Sequence, residues 1–132
     1  MIDKQKTRIL MICSAIFMAT IGFVLSFIPQ ELLEYFGGTP DGISVMIINI
    51  AGGLYIGFGF LNWMAKDNII GAIYSRPVAA GNFIHFMMAA IILFKQVTSM
   101  SHFSLMLILA LLNMLFAVGF GYLLLGGDKA CK

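Results

Sequence analysis

The chain has 132 residues, enough for one domain, 1–132. It is 61% hydrophobic and 11% charged, against about 25% charged in soluble domains, so much of its apolar surface must face lipid rather than water. A formal net charge of +2, with the basic residues scattered singly between apolar runs, excludes a nucleic-acid-binding face.

The sequence opens on MIDKQKTR, which places Lys4, Lys6 and Arg8 ahead of an uncharged run over 9–28. A run of about 20 residues spans a hydrocarbon core of roughly 30 Å. It is longer than a signal-peptide core and no A-x-A-like site follows, so it is expected to remain as the first span. Pro29 opens the first loop, PQELLEYFGGTPDG, where Leu32, Leu33, Tyr35 and Phe36 alternate with Glu31 and Glu34. One or two helical turns lying in the membrane interface are expected there, ended by Gly37, Gly38, Pro40 and Gly42.

The second span is expected over 43–65, with Trp63 at the headgroup boundary and Lys66, Asp67 and Asn68 closing it. Pro77 takes a first-turn position, where its missing N–H costs nothing, and the third span follows over 78–94. The fourth is expected over 103–125, closed by Gly126 and Gly127. The predicted fold class is therefore all-α, a four-transmembrane-helix bundle. Lys4, Lys6, Arg8, Lys66, Arg76, Lys129 and Lys132 fall on one side of the membrane and Lys95 alone on the other. The positive-inside rule then puts both termini and the 66–77 turn in the cytoplasm. The expected location is the bacterial inner membrane, crossed several times.

The second span carries Gly52, Gly53, Gly57 and Gly59 within one arc of about 160°. Gly53 and Gly57 form a small-xxx-small pair, and glycine lets another backbone approach closely, which is what drives helix association in lipid. All four are expected at helix contacts, and Gly53→Leu is expected to disturb assembly more than Leu54→Ala. Asn49 lies in the same arc one turn away, where its amide would bond across the contact. In the third span Asn82, His85 and Ala89 share a stripe. Asn62 and Asn82 fall at similar depth in one hairpin, which predicts a bond between them. Tyr55 and Asn113 fall near the level of His85.

An ionisable side chain inside a bilayer marks a site by default. The candidate ligand-binding set is therefore Asn49, Tyr55, Asn62, Asn82, His85 and Asn113. The plain alternative for His85 is an interior hydrogen-bonding residue. Lys66 and Arg76, beside the start of the third span, are candidates for a lipid headgroup phosphate or another anion. The plain alternative there is a topology anchor. All six acidic residues lie outside the spans, Cys13 and Cys131 form no expected pair, and no second histidine lies within a span. No catalytic residue, metal site or cofactor is therefore assigned.

At AGGLYIGFGFLNWMAK, residues 51–66, the chain resembles small bacterial four-span proteins of the DoxX-like kind. In those, a first span ending near a proline precedes a second with a Gly-Gly and aromatic-Gly-x-Gly pattern. Pro29 and Gly52-Gly53 through Gly59 match that outline. The resemblance covers the layout of all four spans. It implies a compact four-helix bundle. Some members are linked to respiratory or sulfur-oxidation membrane complexes, others to maturation of partner proteins, and no catalytic residue carries across.

Three functions are compatible with these readings. The first is a non-enzymatic accessory or scaffold subunit that binds a membrane-protein partner or copies of itself. The second is an intramembrane small-molecule or lipid-binding protein or transporter with a pocket around His85. The third is a quinone- or lipid-linked enzyme, ranked last because the chain lacks a cysteine pair for thiol chemistry.

Overall fold

The computed structural model describes residues 4–67, 75–97 and 102–126. They form five helices: α1 (Lys4–Phe27), α2 (Pro29–Tyr35), α3 (Gly42–Ala65), α4 (Ser75–Gln96) and α5 (Phe103–Gly126). Four of these are long and apolar enough to cross a membrane. In hydrocarbon every backbone N–H and C=O must be paired within the protein, and a helix does so within each segment. The 24 residues of α1 rise about 36 Å at 1.5 Å each, more than the hydrocarbon thickness. The helix starts at Lys4, ahead of the apolar run, so the basic residues ride on its first turns. Similarly, α4 starts at Ser75, with Arg76 and Pro77 in its first turn. Residues 68–74, most of the expected cytoplasmic turn, lie outside the described residues.

The short helix α2 sits where the alternation in the first loop predicts one. Pro29 supplies its first position and is buried, Leu32 and Leu33 are half-buried, and Glu31 and Glu34 face outward. Gly37 ends it with φ 79°. Gly37 N–H donates to the Glu34 carbonyl at 3.0 Å and Gly38 N–H to the Leu33 carbonyl at 2.8 Å. This paired C-terminal closure needs a left-handed residue, which glycine supplies without steric strain.

Asp41 caps α3. Its Oδ1 accepts from the N–H groups of Ile43 and Ser44, each at 3.0 Å, and its Oδ2 accepts from the Ser44 hydroxyl. The Ser44 side chain and backbone hold the Asp41 carboxyl below its ordinary value. A folded-state value below the unfolded one means the cap's contribution is complete above about pH 3.9 and is lost as pH falls through the folded value. The amide resonances of Ile43 and Ser44 are expected to titrate with a midpoint below that of a free aspartate. A midpoint at or above it contradicts the cap.

The helices pair as two hairpins. Within the first, α1 and α3 meet backbone to backbone. A Cβ on Gly52 would lie 2.9 Å from the Gly22 carbonyl oxygen and 2.9 Å from the Ser26 nitrogen. One on Gly22 would lie 2.8 Å from the Gly52 carbonyl oxygen, and one on Gly59 3.0 Å from that of Ala15. Within the second, α4 and α5 pack together, and Ala79, Ala90, Ala110 and Ala117 of these helices are buried. Large side chains fill the centre of the bundle. Phe86 of α4 packs against Phe116 at 4.9 Å and Phe120 at 5.8 Å between ring centroids, and Phe17 of α1 reaches Phe116 at 5.3 Å. Met11 and Met18 complete this cluster.

The outer surface is apolar along every long helix: Phe27, Ile47, Leu54, Ile84, Leu115 and Leu125 are all exposed. Patches of that extent on a water-facing monomer would drive aggregation. At one end of the bundle Arg8 Nε lies 3.0 Å from Asp67 Oδ1, tying the start of α1 to the residue past the end of α3. Both side chains are more than half exposed, so this pair contributes at most about 1 kcal/mol.

Candidate functional site

Asn62 of α3 and Asn82 of α4 form a reciprocal pair, as their common depth predicts. Each Nδ2 donates to the other's Oδ1 at 2.7 Å. The second proton of Asn62 Nδ2 goes to Ser14 Oγ of α1 at 3.0 Å, and that of Asn82 Nδ2 to the Val78 carbonyl at 2.9 Å. Ser14 in turn donates to the Met11 carbonyl at 3.0 Å. The sulfur of Met18 lies 3.6 Å from Asn62 Nδ2. All three polar side chains are 0% exposed.

Every donor of the two amides is used, so this cluster clasps three helices and leaves no hydrogen available for a ligand. Asn62 and Asn82, two members of the candidate ligand-binding set, thus bond to each other, and Asn62 to Ser14, in the core. Ser14 was missed by the sequence reading. Its only signal was a hydroxyl amid apolar residues on the first span, which also carries Thr20 and Ser26.

His85 lies one turn further along α4. Its ring packs against Phe58 at 5.1 Å, tilted 29°, and edge-on against Tyr55 at 4.6 Å. Its Nε2 is enclosed and has no hydrogen-bond partner. Tyr55, Phe58 and His85 line an open groove between α3 and α4, so the sequence-predicted pair of Tyr55 and His85 is brought together. Phe58, which stacks on the imidazole, was not anticipated. Its aromatic type does not distinguish a site wall from core.

Asn113 is 2% exposed and does not line this groove. Its Nδ2 donates to the Leu109 carbonyl of its own helix at 2.8 Å, and its Oδ1 is buried without a partner. Asn49, expected in the same set, is not brought to this groove. It lies on the exposed face of α3, apart from the groove, with no side-chain hydrogen bond among the described residues.

The four glycines of α3 divide into two pairs. Gly52 and Gly59 are buried against α1, whereas Gly53 and Gly57 are exposed, and a Cβ on either would meet nothing within 4 Å. Among the described residues, Gly53 and Gly57 therefore carry no close helix contact, contrary to expectation. The arc of about 160° is wide enough to reach from the α1 seam round to the lipid face.

Lys66 holds its Nζ 3.9 Å from the centre of the Trp63 indole, a cation–π contact at the end of α3. Arg76 is exposed in the first turn of α4. Among the described residues no group of three or more histidine, cysteine, aspartate or glutamate side chains is placed to hold a metal ion. Cys13 is exposed on α1.

Fold and surface together define a multi-pass integral membrane protein. Comparison with known protein families, with curated proteins and with solved structures finds no match to this chain.

Proposed function

We propose that this chain is a non-enzymatic subunit of a bacterial inner-membrane assembly, of the DoxX-like kind, with both termini in the cytoplasm. Its role is to pack against a membrane-protein partner or a second copy through the outward face of α3. The observation that carries this reading is Asn49. It lies about 10 Å along α3 from the first residue, by helical rise. There its side chain is exposed on a membrane-spanning helix, with no hydrogen-bond partner among the described residues. An amide in lipid is costly until it bonds another polar group. One and two turns along the same face, the open positions of Gly53 and Gly57 leave room for a neighbouring helix to come close.

The test is mass in mild detergent. The wild-type chain is expected to run as a complex larger than its 14.5 kDa monomer. Asn49→Leu and Gly53→Leu are expected to release the monomer with helicity intact, and Leu54→Ala is expected to keep the complex. A strictly monomeric wild type, or an Asn49→Leu variant indistinguishable from it, rules the reading out.

A further inference from the structure

The groove between α3 and α4 has a volume of about 660 Å³ and lies open along its length. It runs from Gly81 to Leu93 on α4, about 18 Å by helical rise. That is close to one leaflet's share of a hydrocarbon core roughly 30 Å thick. Its aromatic part lies near mid-bilayer, because His85 is about 15 Å along α4 from Ser75. The other end, at Ile92 and Leu93, is aliphatic and approaches the end of the helix. No charged side chain lines any part of it. In this aromatic part the Tyr55 hydroxyl has no hydrogen-bond partner among the described residues, and the enclosed Nε2 of His85, whose ring packs on the Tyr55 ring, is likewise unpaired.

We propose that this groove binds a neutral single-chain lipid, with an uncharged oxygen accepting from the Tyr55 hydroxyl and the hydrocarbon tail lying along Met88 and Ile92. A carboxylate or phosphate head is excluded because the groove offers no cation to neutralise it, and burying an unpaired charge is prohibitive. The acyl chain of a phospholipid would fill the aliphatic part. Its own oxygens stay at the headgroup level, so it would leave the phenol unpaired. A long-chain alcohol or aldehyde meets both demands. This proposal is independent of the outward face of α3, since Asn49, Gly53 and Gly57 lie outside the groove.

The experiment uses the full chain in lipid nanodiscs, a photoreactive hexadecanol analogue with a diazirine on its tail, and peptide mapping of the crosslinks. Crosslinks are expected on α4 around Met88 to Leu93. Unlabelled hexadecan-1-ol is expected to compete, with hexadecane and palmitate at least tenfold weaker. Tyr55→Phe keeps the ring and removes one donor. It is expected to raise the hexadecanol needed for competition about tenfold, the worth of one hydrogen bond near 1.4 kcal/mol, with hexadecane unaffected. Gly81→Leu has room for its Cβ, with only Phe58 at 3.6 Å, and would fill the groove. It is expected to abolish the crosslink while the thermal unfolding midpoint is kept. Hexadecane or palmitate competing as well as hexadecanol, unchanged competition in Tyr55→Phe, or crosslinks that persist in Gly81→Leu would each overturn the proposal.

Discussion

Gly52→Ala is expected to lower the stability of the bundle by about 2–3 kcal/mol, and Gly53→Ala, one residue along, to change it by less than about 0.5 kcal/mol. The two substitutions are chemically identical and alter the same helix. They differ in what the new methyl meets. At position 52 it is trapped between the Gly22 carbonyl oxygen and the Ser26 nitrogen, both at 2.9 Å. These are backbone atoms of α1 and cannot rotate away, so relief requires the whole helix to withdraw. At position 53 the methyl enters open space. Reversible unfolding of the two variants in mixed micelles, followed by helicity, measures the difference. Equal stabilities would show that α1 and α3 are not in backbone contact. Gly22→Ala belongs with Gly52→Ala, because its methyl would lie 2.8 Å from the Gly52 carbonyl oxygen and 2.8 Å from the Ile56 nitrogen.

A loss of about 2 kcal/mol is expected for Asn82→Leu. The substitution removes both bonds of the reciprocal pair and strands the Asn62 amide in the core. Interhelical hydrogen bonds in membranes contribute about 0.6 kcal/mol on average and up to about 1.7, and the orphaned amide adds its desolvation penalty. Since that penalty belongs to the stranded partner, the double variant Asn62→Leu/Asn82→Leu is expected to be more stable than the two single losses would sum to, by about 1–2 kcal/mol. Additive losses would mean that the two amides do not act as a unit. No ionisable group takes part in the clasp, so the losses are expected to be the same at pH 5 and pH 8. A loss that varied with pH would contradict a wholly amide and hydroxyl network.

Residues of the candidate site are legible in the sequence where depth alone decides. Asn62 and Asn82 lie near the same end of antiparallel spans, and counting residues from the Lys66 boundary places them side by side. The neighbourhood of Tyr55 and His85 was found in the same way. Depth does not suffice wherever the outcome depends on how a helix is rotated about its axis. Asn49 was placed at an internal contact and faces outward. All four glycines of α3 are expected at helix contacts, and only Gly52 and Gly59 pack against α1. Ser14, which completes the clasp, was overlooked.

The number and type of the elements were determined by the sequence alone. Uncharged runs of spanning length leave the backbone no choice in lipid but to bond to itself as helices, and Pro29, Asp41 and the glycines after Phe36 set the ends of the short and long ones. The face that each helix turns inward was decided only by the tertiary structure. In water, polar residues mark the outside of a helix. In a bilayer a leucine facing lipid and a leucine facing a neighbour are nearly equivalent, so the residue pattern carries little record of rotation. Close backbone approach between α1 and α3, and the closure of the Ser14–Asn62–Asn82 bonds, select one rotation from many that the composition permits.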